Sequence, residues 1–291
     1  MLTVMKKLGG LTAALMVATL VASPVLAAKA KKVVKPPPPP MPVYSWTGYY
    51  IGANAGGACN NFTANRGTFT TTFGPLDPLG FVDFGDRIGL LGQYPTFSGS
   101  SCGFIGGGQV GYNLQSANWV WGVEADFQGT TLKATDNRIF PAVNIPSLGG
   151  FGFFGASSEQ ASQQVRWLAT VRGRAGILAT PMLLVYGTAG LAFGQVSDSY
   201  SNTGVPTAFT GVTIAANNDN VQWGFAGGGG AELAIGWPWS AKIEYIYYHL
   251  SDDTVTLNWA SFPNGTGTTV NYTFRTEGHI VRAGFNYKFG Q

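Results

Sequence analysis

Charge is what this chain of 291 residues has least of: Asp, Glu, Lys and Arg together make up 11%, against roughly 25% in an ordinary soluble domain. Histidine occurs twice and cysteine twice, which leaves little for imidazole catalysis or for a His/Cys metal site. Past the N-terminal leader, no stretch has the ~18–20 unbroken apolar residues of a membrane-spanning helix. A shortage of apolar material is excluded as well, because hydrophobic residues reach 45% and the mean hydropathy is +0.11. Glycine is abundant instead, with 42 residues, alongside 13% aromatics. Scarce charge with plentiful glycine and aromatics is not the composition of an ordinary cytosolic enzyme.

The net charge of +3 changes sign once it is located. Six of the 17 basic residues (Lys6, Lys7, Lys29, Lys31, Lys32 and Lys35) precede residue 41, while all 14 acidic residues follow it. The body therefore carries eleven bases against fourteen acids, a net −3. Nucleic acid is not an expected partner, since phosphate binding needs a basic surface on the folded part.

Residues 1–27 read as a secretory signal peptide. Lys6 and Lys7 precede the apolar run Leu8–Val21, and Val25-Leu26-Ala27 supplies small residues for cleavage. Residues 28–43 are rich in lysine and proline, with five consecutive prolines at Pro36–Pro40. Such a segment is an extended spacer, expected to act as a periplasmic tether within reach of peptidoglycan.

Residues 44–291 are dominated by a period of two. In Trp119–Gln128, Trp119, Trp121, Val123, Ala125 and Phe127 share one face, and Gly122, Glu124, Asp126 and Gln128 share the other. A strand separates these residues and a helix would scatter them. The same split recurs at 47–56, 103–114, 163–177, 183–195, 221–235, 241–250 and 276–289, giving eight strands near the ~9–11 residues that cross a bilayer. Short connections (115–118, 178–182, 236–240) alternate with long ones (57–102, 130–162, 196–220, 251–275). The expected fold is all-β: an eight-stranded antiparallel up-and-down transmembrane barrel with short periplasmic turns and long extracellular loops, in the outer membrane. Trp46, Trp119, Trp121, Trp237 and Trp239 fall at the short-turn ends and Trp167 and Trp223 at the opposite ends, as two aromatic girdles require. Lipid and lipopolysaccharide are the expected surroundings.

Several segments carry a resemblance. Pro42–Gly52, Trp167–Gly176 with Arg172-Gly-Arg174, Tyr186–Gly190, Lys242–Tyr245 and the closing Val281–Phe289 together resemble the small porin-like outer-membrane β-barrel family of alpha-proteobacteria. The resemblance implies a monomeric eight-stranded barrel, often a major surface antigen, with no known cofactor. The chain departs from the family's usual terminal aromatic, because Gly290 and Gln291 follow Phe289.

Alternation turns Glu124, Asp126, Glu232 and Glu244 inward, together with Arg166, Arg172, Arg174, Lys242, Arg282 and Lys288. Eight strands enclose a lumen that side chains just fill, and an unpaired buried ion is costly. A plug of paired charges in a structural surface barrel is therefore expected, with a narrow diffusion channel as the alternative. Gly106–Gly111 matches a dinucleotide-site glycine pattern but lies inside a strand, where that site has no helix to open on. Cys59 and Cys102 lie in the first long connection, and an oxidising compartment favours a disulfide between them. A catalytic alternative rests on His249 and Ser251, two apart at an outer strand end, with Glu277 and His279 nearby. A His–Ser pair oriented by a carboxylate could cleave lipid esters; a rim meeting lipopolysaccharide head groups explains the same residues. No metal site and no cofactor are expected, and Asp252 and Asp253 are the weak alternative for a divalent ion.

Overall fold

In the computed structural model the described residues are 44–72, 96–141, 143–144, 153–154, 156–203, 213–259 and 267–289. The expected leader and tether, residues 1–43, lie outside them. Ten strands follow in order: β1 (Gly48–Thr72), β2 (Phe97–Ser116), β3 (Trp119–Phe140), β4 (Val143–Asn144), β5 (Phe153–Phe154), β6 (Ser157–Thr180), β7 (Leu183–Thr203), β8 (Thr213–Gly236), β9 (Trp239–Trp259) and β10 (Gly267–Phe289). Eight of them close a ring in the order β1-β10-β9-β8-β7-β6-β3-β2, every neighbouring pair antiparallel, while β4 and β5 form a separate two-residue ladder.

The alternation sorts the two faces as the pattern requires. Trp121, Val123 and Phe127 are exposed on the outside of β3, while Glu124 and Asp126 between them are buried. Exposed Ile51, Val110, Leu191, Phe225, Ile243, Val281 and Phe285 continue an apolar belt around the cylinder. Trp119, Trp121, Trp237 and Trp239 are exposed at its short-turn edge and Trp223 at the opposite edge, with Trp167 half-buried against Phe127 there. In water such a surface would aggregate; in acyl chains it is the solvated face.

Two expectations change. The eight barrel strands run 20–25 residues, about twice a bilayer crossing. Much of what reads as long polar loop is therefore strand extending past the belt. Glycine and asparagine depress strand propensity, but a neighbouring extended strand supplies the ladder that propensity does not. Trp46 also leaves its assigned girdle. It is 1% exposed and sits in the short-turn mouth with Val120, Leu184, Tyr186 and Ala234. Its backbone N–H donates to Gln115 Oε1 and its indole N–H to the Pro181 carbonyl. Trp46 precedes β1, so strand parity does not govern where its ring points.

Candidate functional site: the barrel interior

The interior is layered along the barrel axis. Beyond the Trp46 layer lies a band of charge built from β3, β6, β8, β9 and β10. Arg172, 1% exposed, is held by three carboxylates: its Nη2 lies 2.9 Å from Glu124 Oε1 and 2.8 Å from Asp126 Oδ2, and its Nη1 lies 3.0 Å from Glu244 Oε1. Its Nε donates to Thr170 Oγ1. Arg282 joins Asp126 at 2.9 Å and Glu244 at 2.6 Å, and Lys242 Nζ donates to both oxygens of Glu124 at 2.8 Å. Arg174 pairs with Glu232 at 2.7 Å and lies over the Tyr186 ring. Register explains the assembly: Glu124 stands opposite Arg172, Glu232 opposite Lys242, and Glu244 opposite Arg282 on neighbouring strands.

Two bases expected in this band are elsewhere. Arg166 is exposed and pairs with Asp219. The β6–β7 register jumps between Val165 and Trp167, and this bulge inverts the side-chain alternation at Arg166. Lys288 points inward but sits at the short-turn mouth, where its ammonium donates to the Ser45 carbonyl and lies near the Tyr44 and Trp237 rings. The band is left with Glu124, Asp126, Glu232 and Glu244 against Arg172, Arg174, Lys242 and Arg282, which balance in charge.

Alternation alone did not reveal the neutral partners of this band. Tyr50 donates to Glu124, Ser240 and Asn286 both donate to Glu232 Oε1, and Gln109 bridges Asn54 and Asn286. All but Ser240, which falls in the expected short connection 236–240, are inward positions of strands that the alternation marks, so parity gives the face while the chemistry emerges only from the neighbours. Inward Gly107, Gly190, Gly224 and Gly228 sit close against the neighbouring strand. A Cβ at any of them would meet backbone of the adjacent strand, so glycine there permits close strand approach.

An apolar layer follows, with Ala58, Ile105, Leu132, Val165, Leu168, Ile246, Leu250 and Ile280 at 0–2% exposure. Above the belt, Gln163 links Asn60, Asp198 and Thr276, and an aromatic cluster containing Phe62, Phe97, Tyr200, Tyr272 and Phe274 closes the top.

Among the described residues, no ion pair reaches two carboxyls of this outer part, Asp198 and Glu159. Burial pushes Asp198 up to about 7, with Asp253 adding to the rise and the Gln163 amide opposing it. Burial likewise pushes Glu159 up to about 7, against the Tyr200 hydroxyl and Arg138. A carboxyl with a raised folded-state pKa stabilises the fold below its unfolded value near 4 and loses that contribution as pH rises through about 7. The outer strands are therefore expected to be more resistant to proteolysis at pH 5 than at pH 8.5, with Asp198→Asn flattening the dependence. Digestion by a protease active at both values checks this.

At the outer rim, His249 packs its ring against Phe225, with its Nδ1 4.0 Å from Glu277 Oε2. Glu277 accepts from the Tyr247 hydroxyl, and the Tyr245 hydroxyl bonds His279 Nδ1. The β9–β10 register jumps just after His249, from Leu250–Thr276 to Asp253–Phe274, leaving Ser251 and Asp252 without ladder partners. No hydrogen bond joins His249 to Ser251 among the described residues, so the structure does not assemble the catalytic alternative. Asp253, weighed as half of a cation site, is occupied by the Asn218 and Asn220 amides.

A model of the family described as outer membrane protein beta-barrel domain matches residues 13–289. The 31 kDa outer-membrane immunogenic protein of Brucella melitensis is 35% identical over 247 residues, spanning 84% of this chain and 85% of that protein. The 22 kDa outer membrane protein of Rhizobium leguminosarum bv. viciae is 28% identical over 195 residues, 66% of this chain and 75% of that one. Among solved structures, the outer membrane protease OmpT of Escherichia coli aligns with a TM-score of 0.39 at 10% identity, covering 83% of this chain and 97% of that chain. A likeness that slight carries no argument about activity.

Proposed function

The chain belongs to the outer membrane protein beta-barrel domain family, and from that premise we propose that it is a non-enzymatic structural surface barrel with a sealed lumen. One observation carries the reading: the balanced charge band and the apolar layer beside it both lie across the lumen, with side chains almost wholly buried. A conducting pore needs a continuous water path, and a fully bonded Arg172 surrounded by carboxylates contributes none. The belt and its tryptophan edges fit lipid and lipopolysaccharide as surroundings, and residues 28–43 fit a spacer directed at peptidoglycan.

Planar bilayer recordings of the purified full-length barrel test the proposal. No steady conductance is expected between pH 5 and 8. Arg174→Ala, which thins the charge band, is expected to stay silent as well, because the apolar layer remains. Steady single-channel steps from the wild-type barrel would overturn the sealed-lumen reading in favour of a diffusion channel.

A further inference from the structure

The eight barrel strands do not stay joined over their whole length. β2 and β3 pair only as far as Ile105–Thr130, and β8 and β9 only as far as Gly224–Leu250. All four strands continue outward regardless. Every other neighbouring pair keeps its ladder well beyond these points: β9–β10 to Trp259–Thr268, β1–β10 to Thr72–Gly267 and β1–β2 to Ala64–Phe97. On the other side, β3–β6 runs to Phe140–Ser157, β6–β7 to Ser158–Thr203 and β7–β8 to Thr203–Thr213. Outside the membrane belt the cylinder therefore becomes two four-stranded leaves, β2-β1-β10-β9 and β3-β6-β7-β8. The two seams lie on opposite sides of the ring.

Side chains cross the seams where ladders do not. At one seam, Asp253 Oδ2 accepts from Asn218 Nδ2 at 3.0 Å and from Asn220 Nδ2 at 3.2 Å. At the other, Asp136 Oδ2 accepts the Ser98 N–H at 3.2 Å and Thr131 Oγ1 accepts the Phe104 N–H at 2.9 Å. Between the leaves, Tyr272 of one stacks on Tyr200 of the other at 4.9 Å, and Phe97 meets Tyr200 edge-on. An unpaired strand edge invites foreign strands, and charged side chains along it are the usual guard. Asp136 and Asp253 occupy those positions and also span the gap.

We propose that the outer part of the barrel is a clasp: the two leaves part along the seams while the membrane belt stays closed, with Asp253 and Asp136 as the latches. Parting the leaves breaks the side-chain hydrogen bonds at the seams, the Gln163 bonds to Asn60 and Thr276 and the aromatic contacts between the leaves, but no backbone ladder. Parting any other pair of neighbours breaks a backbone ladder, so motion concentrates at the seams. Opening exposes the aromatic cluster between the leaves.

Thiol labelling of the folded full-length barrel in lipid tests the clasp. Ala161 lies between the leaves, 0% exposed, and Ala226 lies in the apolar layer, 1% exposed; each is replaced by Cys with the native disulfide kept. Ala161→Cys is expected to react with a maleimide at least tenfold faster than Ala226→Cys. Adding Asp253→Ala is expected to speed the Ala161→Cys reaction at least tenfold further and leave Ala226→Cys unchanged. The pair Asn218→Ala and Asn220→Ala breaks the same latch from the opposite leaf and is expected to act alike. Equal rates at the two positions would overturn the proposal. So would an Ala161→Cys rate that neither latch variant alters.

Discussion

Replacing Arg172 with leucine is expected to lower the unfolding free energy of the barrel by about 3–5 kcal/mol, the range for breaking a buried ion pair from one side. Arg172 is bonded to Glu124, Asp126 and Glu244 at once. Its removal leaves four carboxylates facing three bases at a site where the side chains are almost wholly buried. The measurement is a urea titration of the protein folded into lipid vesicles, followed by tryptophan fluorescence. Combining Arg172→Leu with Asp126→Leu restores the balance of charge and is expected to recover at least half of the loss. A second pairing, Arg172→Leu with Asp126→Asn, restores the same balance without changing the volume at residue 126, so its recovery separates an electrostatic cause from a packing cause. An unchanged midpoint for Arg172→Leu would show that the band contributes nothing to stability.

Removing the disulfide is expected to have the second-largest effect. Cys59 and Cys102 are bonded, with their Cα atoms 4.0 Å apart and a sequence separation of 43. They stand directly opposite one another on β1 and β2, flanked by the pairs Ala58–Gly103 and Asn60–Ser101. They thus lie on paired strands, whereas the sequence pattern assigns both to the first long connection. The flanking ladder holds the native geometry without the bond, so the loss arises mainly in the unfolded chain. Closing a loop of this length is worth roughly 4 kcal/mol in the chain-entropy model. The double variant Cys59→Ser, Cys102→Ser is expected to lose up to that amount in the same titration. Dithiothreitol should bring the wild type to the same midpoint and leave the double variant where it is. A reductant that shifts both equally would assign the effect elsewhere.

Within the belt, the facing of each residue follows from the chain alone. A strand turns its side chains with a period of two wherever it is regular, so Glu124, Asp126, Arg172, Arg174, Lys242 and Arg282 could be assigned inward before any partner was known. Trp119, Trp121, Trp237 and Trp239 could be assigned outward in the same way. That period is a local backbone property, and it fails where a bulge adds a residue. Bulges are set by how neighbouring strands align. Arg166 departs from the pattern for this reason, and Trp46 because it stands before the first strand.

The amino-acid order alone determined that this chain forms a barrel with grease outside and charge within, because alternation, tryptophan placement and loop spacing are all carried by residue type and position. Tertiary structure alone decided which acid meets which base, how far the strands continue beyond the membrane, and where the cylinder splits into two leaves. Those features depend on register between strands distant in sequence. Register is the outcome of closing the whole ring at once, and no single segment encodes it.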